Sequence, residues 1–414
     1  MAVTSEMPNL QLSSEGVRAR FRQALRQGNS QWLWPETSLE GWQTAVCAID
    51  RVVRDVLVGG SIPVLEGSPR EIGVAAFTSG MGPLLGFWAS QDLLHTAPSL
   101  RAVLDLHYSH NTERMQRLAR FALTAVEAMS AAGIGVTVLK GMHTAYSFFP
   151  KPGCRPMSDI DLLIAPACAQ RACRVLESLG YSPAERSYGE QSFRMKGLPT
   201  EPPGLSLVHR DGPWSIDLHT TLSRRYSPGA PMVHMDRAVR NADAGGWPLS
   251  PCASVLAGEA LVVQLACHAS TGLASLSLLR LTELVLVIRK LEADDRLSWG
   301  RVVQTAGSSG VPGCVYPALQ MVEQLAPGTV PGGILRELER SAPAAVRSVM
   351  GHLRPATCQR VRRYSFKERF MWTHTKYGWV REIFLTLFPT VPFRQMLKIY
   401  ARRFFILFRG RLSS

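Results

Sequence analysis

The sequence predicts an α/β protein of the α+β kind, with a small mixed-sheet core flanked by helical N- and C-terminal regions. Three observations predict it. Helical periodicity dominates up to about residue 130. Two short apolar segments, Val136–Leu139 (VTVL) and Asp159–Ile164 (DIDLLI), then alternate with helix-like stretches. After Pro251, long apolar segments return at helical length.

The elements follow in order. Val17–Gln27 reads as a first helix. Gly41–Leu57 places Trp42, Val46, Ile49, Val53 and Leu57 at three- and four-residue steps, the spacing of one helix face. Residues 59–70, rich in Gly, Pro and Ser, read as a loop. A helix over Thr112–Ala132 is closed by Gly133. The VTVL strand follows, then Lys140-Gly141, a helix over Met142–Phe149 and a Pro/Gly loop to Pro156. The DIDLLI strand leads into a helix over Ala167–Leu179, closed by Gly180. Leu205–Arg210 and Trp214–Thr220 read as a hairpin turning at Asp211-Gly212. Ser254–Ser270 and Leu276–Leu291 read as apolar helices, and residues 308–334 as linking segments. The predicted division is 1–130 helical, 131–250 α/β core, 251–350 helical and 351–414 a basic amphipathic tail.

Charge is uneven. The net charge is +14, yet residues 351–414 alone hold 14 Lys and Arg against 2 Glu. The first 350 residues are thus nearly neutral, and basicity belongs to the tail. The 8 cysteines form no CxxC pair, which argues against a zinc site and for reduced, buried thiols. No apolar run of spanning length is present, and the polar start lacks the pattern of a secretory signal. These features predict a cytoplasmic protein, with the tail as a candidate peripheral-membrane contact.

Asp159 and Asp161 are two apart in a strand and share a face. Two like charges on an otherwise apolar strand repel and resist burial, so a bound cation is the natural partner. Magnesium, with its oxygen ligands and retained waters, leaves room for phosphates. Asp217, in Ser215–His219 (SIDLH), joins them if its strand pairs beside the first, and His219 shares its face as a substrate-positioning candidate or a sheet hydrogen-bonding group. On the phosphate side, the Lys140-Gly141 turn at a helix start offers a charge and backbone donors. Arg155 and Ser158 lie in the loop before the acids.

Leu139–Gly141, Arg155–Leu163 (RPMSDIDLL) and Ile216–His219 together resemble a bacterial family of uncharacterised nucleotidyltransferases, within the DNA polymerase β-like superfamily. The likeness covers about residues 100–300, including Cys267-His268 and Arg280–Leu284. The superfamily's usual Gly-Ser stands here as Gly141-Met142. The resemblance implies Asp159, Asp161 and Asp217 as metal-binding and catalytic acids. It implies Mg2+ and a nucleoside triphosphate, ATP first among candidates, as co-substrate. It also implies an acceptor among peptides or small metabolites, because such proteins accompany clusters for ribosomal peptides, lasso peptides included.

Other groups read more plainly. His143 is expected at the surface, His268 as a satisfied core histidine and Tyr146 as packing. Arg280 and Glu283 are expected to pair locally along a helix. In the tail, Phe393–Phe408 forms a basic amphipathic pattern that fits core docking, an anionic membrane or an acidic partner. Tyr364, Trp372 and Tyr377 add stacking surfaces upstream. The expected activity is therefore Mg-dependent transfer of a nucleoside monophosphate group. The alternatives are a non-catalytic protein of the same fold that docks a partner or membrane through its tail, and an RNA-modifying transferase.

Overall fold

In the computed structural model, residues 36–198, 212–225, 232–236, 244–270, 276–357 and 375–388 are described, with isolated positions beyond them. The expected helix at 17–27, the strand at 205–210 and the amphipathic segment 393–408 lie outside, apart from isolated positions.

Among the elements described in full, four helices come first: α1 (Leu39–Val58), α2 (Pro69–Ser79), α3 (Gly82–Ser90) and α4 (Pro98–Ala131). Ser38 caps α1 by accepting from the Gly41 amide at 3.0 Å. Pro98 starts α4, where a missing N–H is harmless, and Gly133 (φ +68) ends it in the left-handed region. The expected helix over 112–132 is thus the second half of a 34-residue rod, about 51 Å long.

Seven strands form one mixed sheet in the order β10-β11-β3-β4-β7-β6-β5. They are β3 (Val136–Val138), β4 (Asp159–Ile164), β5 (Tyr181–Ser187), β6 (Glu190–Met195), β7 (Ser215–His219), β10 (Ala244–Trp247) and β11 (Ser250–Leu256). Short pairs β1 (Val64–Leu65)–β2 (His95–Thr96) and β8 (Arg224–Arg225)–β9 (Met232–Val233) lie outside it. Helix α5 (Lys140–Ser147) follows β3, and α6 (Ala169–Ser178) follows β4.

Three elements differ from expectation. The strand after the predicted Asp211-Gly212 turn, β7, pairs with β4 and β6, residues 205–211 lie outside the described residues, and the described hairpin is β5–β6 turning at Tyr188-Gly189, where Gly189 has φ +73. β5 is mostly exposed and β6 mostly half-buried, and both are largely polar, so no apolar alternation marks them. The predicted helix from Ser254 begins only at Gly258, as α7 (Gly258–Ser270). Residues 253–255 instead pair in parallel with β3, because sheet partnership outranks an apolar run that suits either state. The expected linker 308–334 contains α10 (Pro312–Leu325), started by a proline in its first turn. Around it lie α8 (Leu278–Ala293), α9 (Trp299–Ser308), α11 (Gly332–Ser341) and α12 (Ala344–Met350).

Helices from both ends of the chain share one core, in which Ile49, Leu84 and Leu100 pack with Leu261, Leu284, Leu319 and Val346. A second core lies under the sheet, where Val126 of α4 and Leu176 of α6 meet Ile160, Leu162, Ile216 and Leu218. α4 feeds both. Alternation does the rest: with Ile160, Leu162 and Ile164 facing the second core, Asp159, Asp161 and Leu163 take the other face, and Leu163 packs against the helical core. The described cysteines are all free. No single helix among the described residues is long and apolar enough to cross a membrane. Near the end, α13 (Lys376–Leu387) leaves Tyr377, Val380, Phe384 and Leu387 exposed.

Candidate functional site

β4 and β7 run parallel with Asp161 opposite Asp217 and Asp159 opposite Ser215. This is the adjacency on which convergence of the three acids depended. Asp159, Asp161 and Asp217 each place a carboxylate oxygen within 4.8 Å of the others.

The acids differ in their surroundings. Asp161 is buried, and burial by itself would raise its pKa. Lys140 Nζ donates to its Oδ1 at 2.8 Å, and His219 Nε2 lies 2.8 Å from the same oxygen. These partners win and hold the Asp161 carboxyl well below the usual carboxylate range. Asp159 has no such partner. Burial, then the neighbouring Asp161 charge, push its pKa up to about 6. Asp217 keeps a buried Oδ1 with no hydrogen bond.

This arrangement fits a divalent cation. The donor set is all oxygen. A buried carboxylate oxygen without a partner is costly, and two carboxyls repel strongly enough to keep one partly protonated. Both protein contacts of Asp161 fall on Oδ1, which leaves its Oδ2 without a hydrogen bond among the described residues. Asp159, Asp161 and Asp217 are therefore the residues that would hold a metal.

Lys140 reaches Asp161 because β3 ends beside β4, where the Leu139 amide donates to the Asp161 carbonyl at 3.0 Å. Lys140 itself has φ +31, a left-handed backbone unusual for a residue with a side chain. His219 also has Nδ1 3.7 Å from Glu190 Oε2, a second carboxylate behind the ring.

Of the phosphate-side candidates, Arg155 has a different partner. Its Nε and Nη2 donate to the two carboxylate oxygens of Glu283 at 2.8 and 3.1 Å, a buried bidentate pair. Thr144 on α5 donates to the same carboxylate. Gly141 serves this lock: a Cβ there would lie 2.6 Å from Arg155 Nη1. Ser158 is exposed, and its carbonyl accepts from the Ser215 amide at 3.1 Å.

Two smaller expectations are corrected. Glu283 does not pair along its helix with Arg280, because both of its oxygens are taken by Arg155. His143 is buried, not at the surface, together with Gly141, Met142, Thr144 and Ala145 of the same helix. Burial pushes its pKa down to about 4. Tyr146 packs against the sheet core. His268 lies near Arg280, Lys140 and Arg224, and burial followed by these charges holds it neutral, well below its ordinary pKa.

Sequence reasoning missed the supports. Arg114 of α4 donates from Nε to the Met157 carbonyl at 3.1 Å, and from Nη1 and Nη2 to Gly212 and Pro213 at 2.7 and 3.1 Å. One guanidinium thus ties together the entries of β4 and β7. Asn111 donates to the Gly153 carbonyl at 2.7 Å. Each is a polar residue on the buried stripe of a helix, as Glu283 is on α8, and that signal could have found them.

Residues 75–327 match the family described as uncharacterised nucleotidyltransferase. The chain belongs to that family. No curated protein and no solved structure matches it. Membership brings generic nucleotidyl transfer and a nucleoside triphosphate substrate, and the clustered acids are compatible with both. This nucleotidyltransferase carries its acids on two parallel strands held by α4, and its Arg155–Glu283 lock joins the sheet to the C-terminal helices.

Proposed function

We propose that the protein is a Mg2+-dependent enzyme that transfers the nucleoside monophosphate group of ATP to a nucleophile on a peptide or small metabolite. The acceptor oxygen or nitrogen forms a bond to the α-phosphorus. The bond to the β-phosphate bridge breaks, and pyrophosphate leaves with its electron pair. The supporting observation is the pairing of Asp161 with Asp217, which gathers three acids within 4.8 Å and leaves a buried Asp217 oxygen unpartnered.

Magnesium, held by Asp159, Asp161 and Asp217, would neutralise charge developing on the attacking and leaving oxygens. The chain's own groups orient this site. His219 and Lys140 fix the Asp161 carboxylate through Oδ1. Asp217, beside Asp161 in the cluster, is the acid that would assist deprotonation of the acceptor. Lys140, beside Asp161, is the cation that would meet a phosphate. Arg155 acts at one remove, by holding the α5 start against α8.

The test is incubation of purified protein with labelled ATP, GTP, CTP or UTP and Mg2+, reading pyrophosphate release and nucleotide binding, beside Asp159→Ala and Asp161→Ala. Binding or turnover that survives both changes would sink this function. Wild-type protein that binds nucleotide but never releases pyrophosphate with any peptide or metabolite acceptor would favour the non-catalytic alternative.

A docking role for the C-terminus has its own support. Tyr377, Val380, Phe384 and Leu387 recur at three- and four-residue steps on α13 and are exposed, within a segment whose sequence is strongly basic. This combination suits an anionic membrane surface. Flotation with phosphatidylglycerol-rich vesicles should carry the full chain but not one ending at residue 375. A full chain that stays behind removes the membrane from consideration.

A further inference from the structure

We propose that Arg280, on helix α8, is the seat for the polyphosphate tail of the nucleotide, and that it takes the role the sequence suggests for Arg155. This rests on the nucleotidyl-transfer function above.

Arg280 and Glu283 are three apart on α8 and therefore share a face. That face is fixed. Glu283 holds Arg155 at 2.8 and 3.1 Å and accepts from Thr144 of α5, so the Arg280 turn looks onto the β3–α5 junction and the acids of β4. Its electrostatic neighbours are Glu283, Arg155, Asp159 and Arg224.

The charges around the junction are already assigned. Lys140 is matched by Asp161, and Arg155 by both oxygens of Glu283. Among the described residues no hydrogen bond or ion pair engages the Arg280 guanidinium. His268 beside it is neutral and offers no counter-charge. Burial pulls the Arg280 pKa down, and the nearby Glu283 and Asp159 charges offset it only in part, since Arg155 and Arg224 act the other way. Asp159 lies near, but it is one of the acids a metal would claim.

A buried guanidinium without a hydrogen-bonded anion, beside a carboxylate cluster, has one economical complement, an anion that a metal on those carboxylates also binds. A nucleotide's β- and γ-phosphates have that chemistry. Their spread of equatorial oxygens suits the planar fork of arginine, which an ammonium does not reproduce. The arrangement thus counts phosphates. A triphosphate extends from the metal side to Arg280, whereas a monophosphate is held at the metal side alone.

The experiment is calorimetry on the full chain with Mg2+ and ATP, ADP, AMP or inorganic tripolyphosphate, for wild type, Arg280→Gln and Arg280→Lys, each checked for an unchanged melting profile. Arg280→Gln is expected to weaken ATP and tripolyphosphate about ten- to a hundredfold, the loss of a charge-assisted contact, with AMP changed less than about twofold. Arg280→Lys should recover part of the loss. ATP binding equal to wild type in Arg280→Gln overturns the proposal and leaves nucleotidyl transfer standing. So does an equal loss for ATP and AMP, or a raised KM for the acceptor with nucleotide affinity untouched, which would mark Arg280 as holding an acceptor carboxylate. If Arg280→Gln does not fold, Arg280→Lys must still separate ATP from AMP. Wild-type protein that binds no nucleotide overturns the function on which the proposal rests.

Discussion

The two sides of the site are built differently. The acid side consists of three aspartates on two adjacent strands, all presented by the simple alternation of a β-strand. The cation side is assembled from three separate elements. Lys140 comes from a strand-to-helix turn, Arg155 from a loop, and Arg280 and Glu283 from α8, more than 120 residues further on. The first is local and periodic, and the second is tertiary. A charge pair such as Arg155–Glu283 cannot be read from spacing, because the fold alone brings its partners together.

The sharpest way to test the contrast is to remove one member from each side. Asp161→Ala removes a carboxylate that the metal would use and the anchor of both Lys140 and His219. The loss should be several kcal/mol in the transition state, about a thousandfold in pyrophosphate release, with the fold retained. Glu283→Ala should act in the opposite way. It leaves Arg155 buried and unpaired, which costs about 3–5 kcal/mol of stability, so the melting temperature should fall steeply. The double change Arg155→Met with Glu283→Leu should restore most of that stability, since well-packed apolar groups often replace a buried pair without loss. If the double variant also keeps wild-type ATP affinity, Arg155 is a strut. If it is stable but binds ATP much more weakly, Arg155 contacts phosphate after all, and the division between the two sides breaks down.

The same contrast explains what was legible in the sequence. The long helices, β3, β4, β7 and the aspartates were visible because apolar period and same-face spacing mark them directly. Glu190–Met195 was not, since its residues are mostly half-buried and polar, and its place is fixed by pairing with β7. β11 was hidden because Val255 and Leu256 suit a helix as well as a strand, and only β3 alongside decides. Arg155 was assigned to phosphate because its place before the acids was readable while its partner on α8 was not. Gly141 was read as a phosphate-turn glycine, and the structure gives it a steric reason, the passage of Arg155 over the helix start.

Gly141→Ala tests that steric reason at a smaller scale. A Cβ 2.6 Å from Arg155 Nη1 cannot be accommodated without moving a guanidinium held by two hydrogen bonds to Glu283 and one to the Pro156 carbonyl. Overpacking of this kind costs about 1–3 kcal/mol. The thermal midpoint should drop less than for Glu283→Ala. In an Arg155→Met, Glu283→Leu background the two effects should be non-additive, because the obstructing group has gone. Additive losses would mean that Gly141 answers to something other than Arg155.

The mildest effect should come from pH, and it separates Asp159 from Asp161 on the acid side itself. The Asp159 pKa is raised to about 6, so without metal its carboxyl binds a proton more tightly in the folded protein than in the unfolded chain. Its ionisation therefore lowers the stability of the metal-free protein as pH rises from the ordinary aspartate range through about 6, and acidification through that window relieves it. Asp161 has the reverse sign. Its depressed pKa stabilises the fold throughout this window, and that contribution is lost only in stronger acid. A divalent cation needs Asp159 deprotonated, so its binding should release a proton below about pH 6 and weaken by up to about tenfold per pH unit there, levelling off above it. Mg2+ titrations followed by melting temperature at pH 5.0, 5.5, 6.0, 7.0 and 8.0 would show it. Asp159→Asn should flatten the pH dependence, whereas Lys140→Gln, which removes a charge that holds the Asp159 pKa down, should move the inflection upward. A metal affinity that does not change between pH 5 and 8 would mean that Asp159 is ionised throughout.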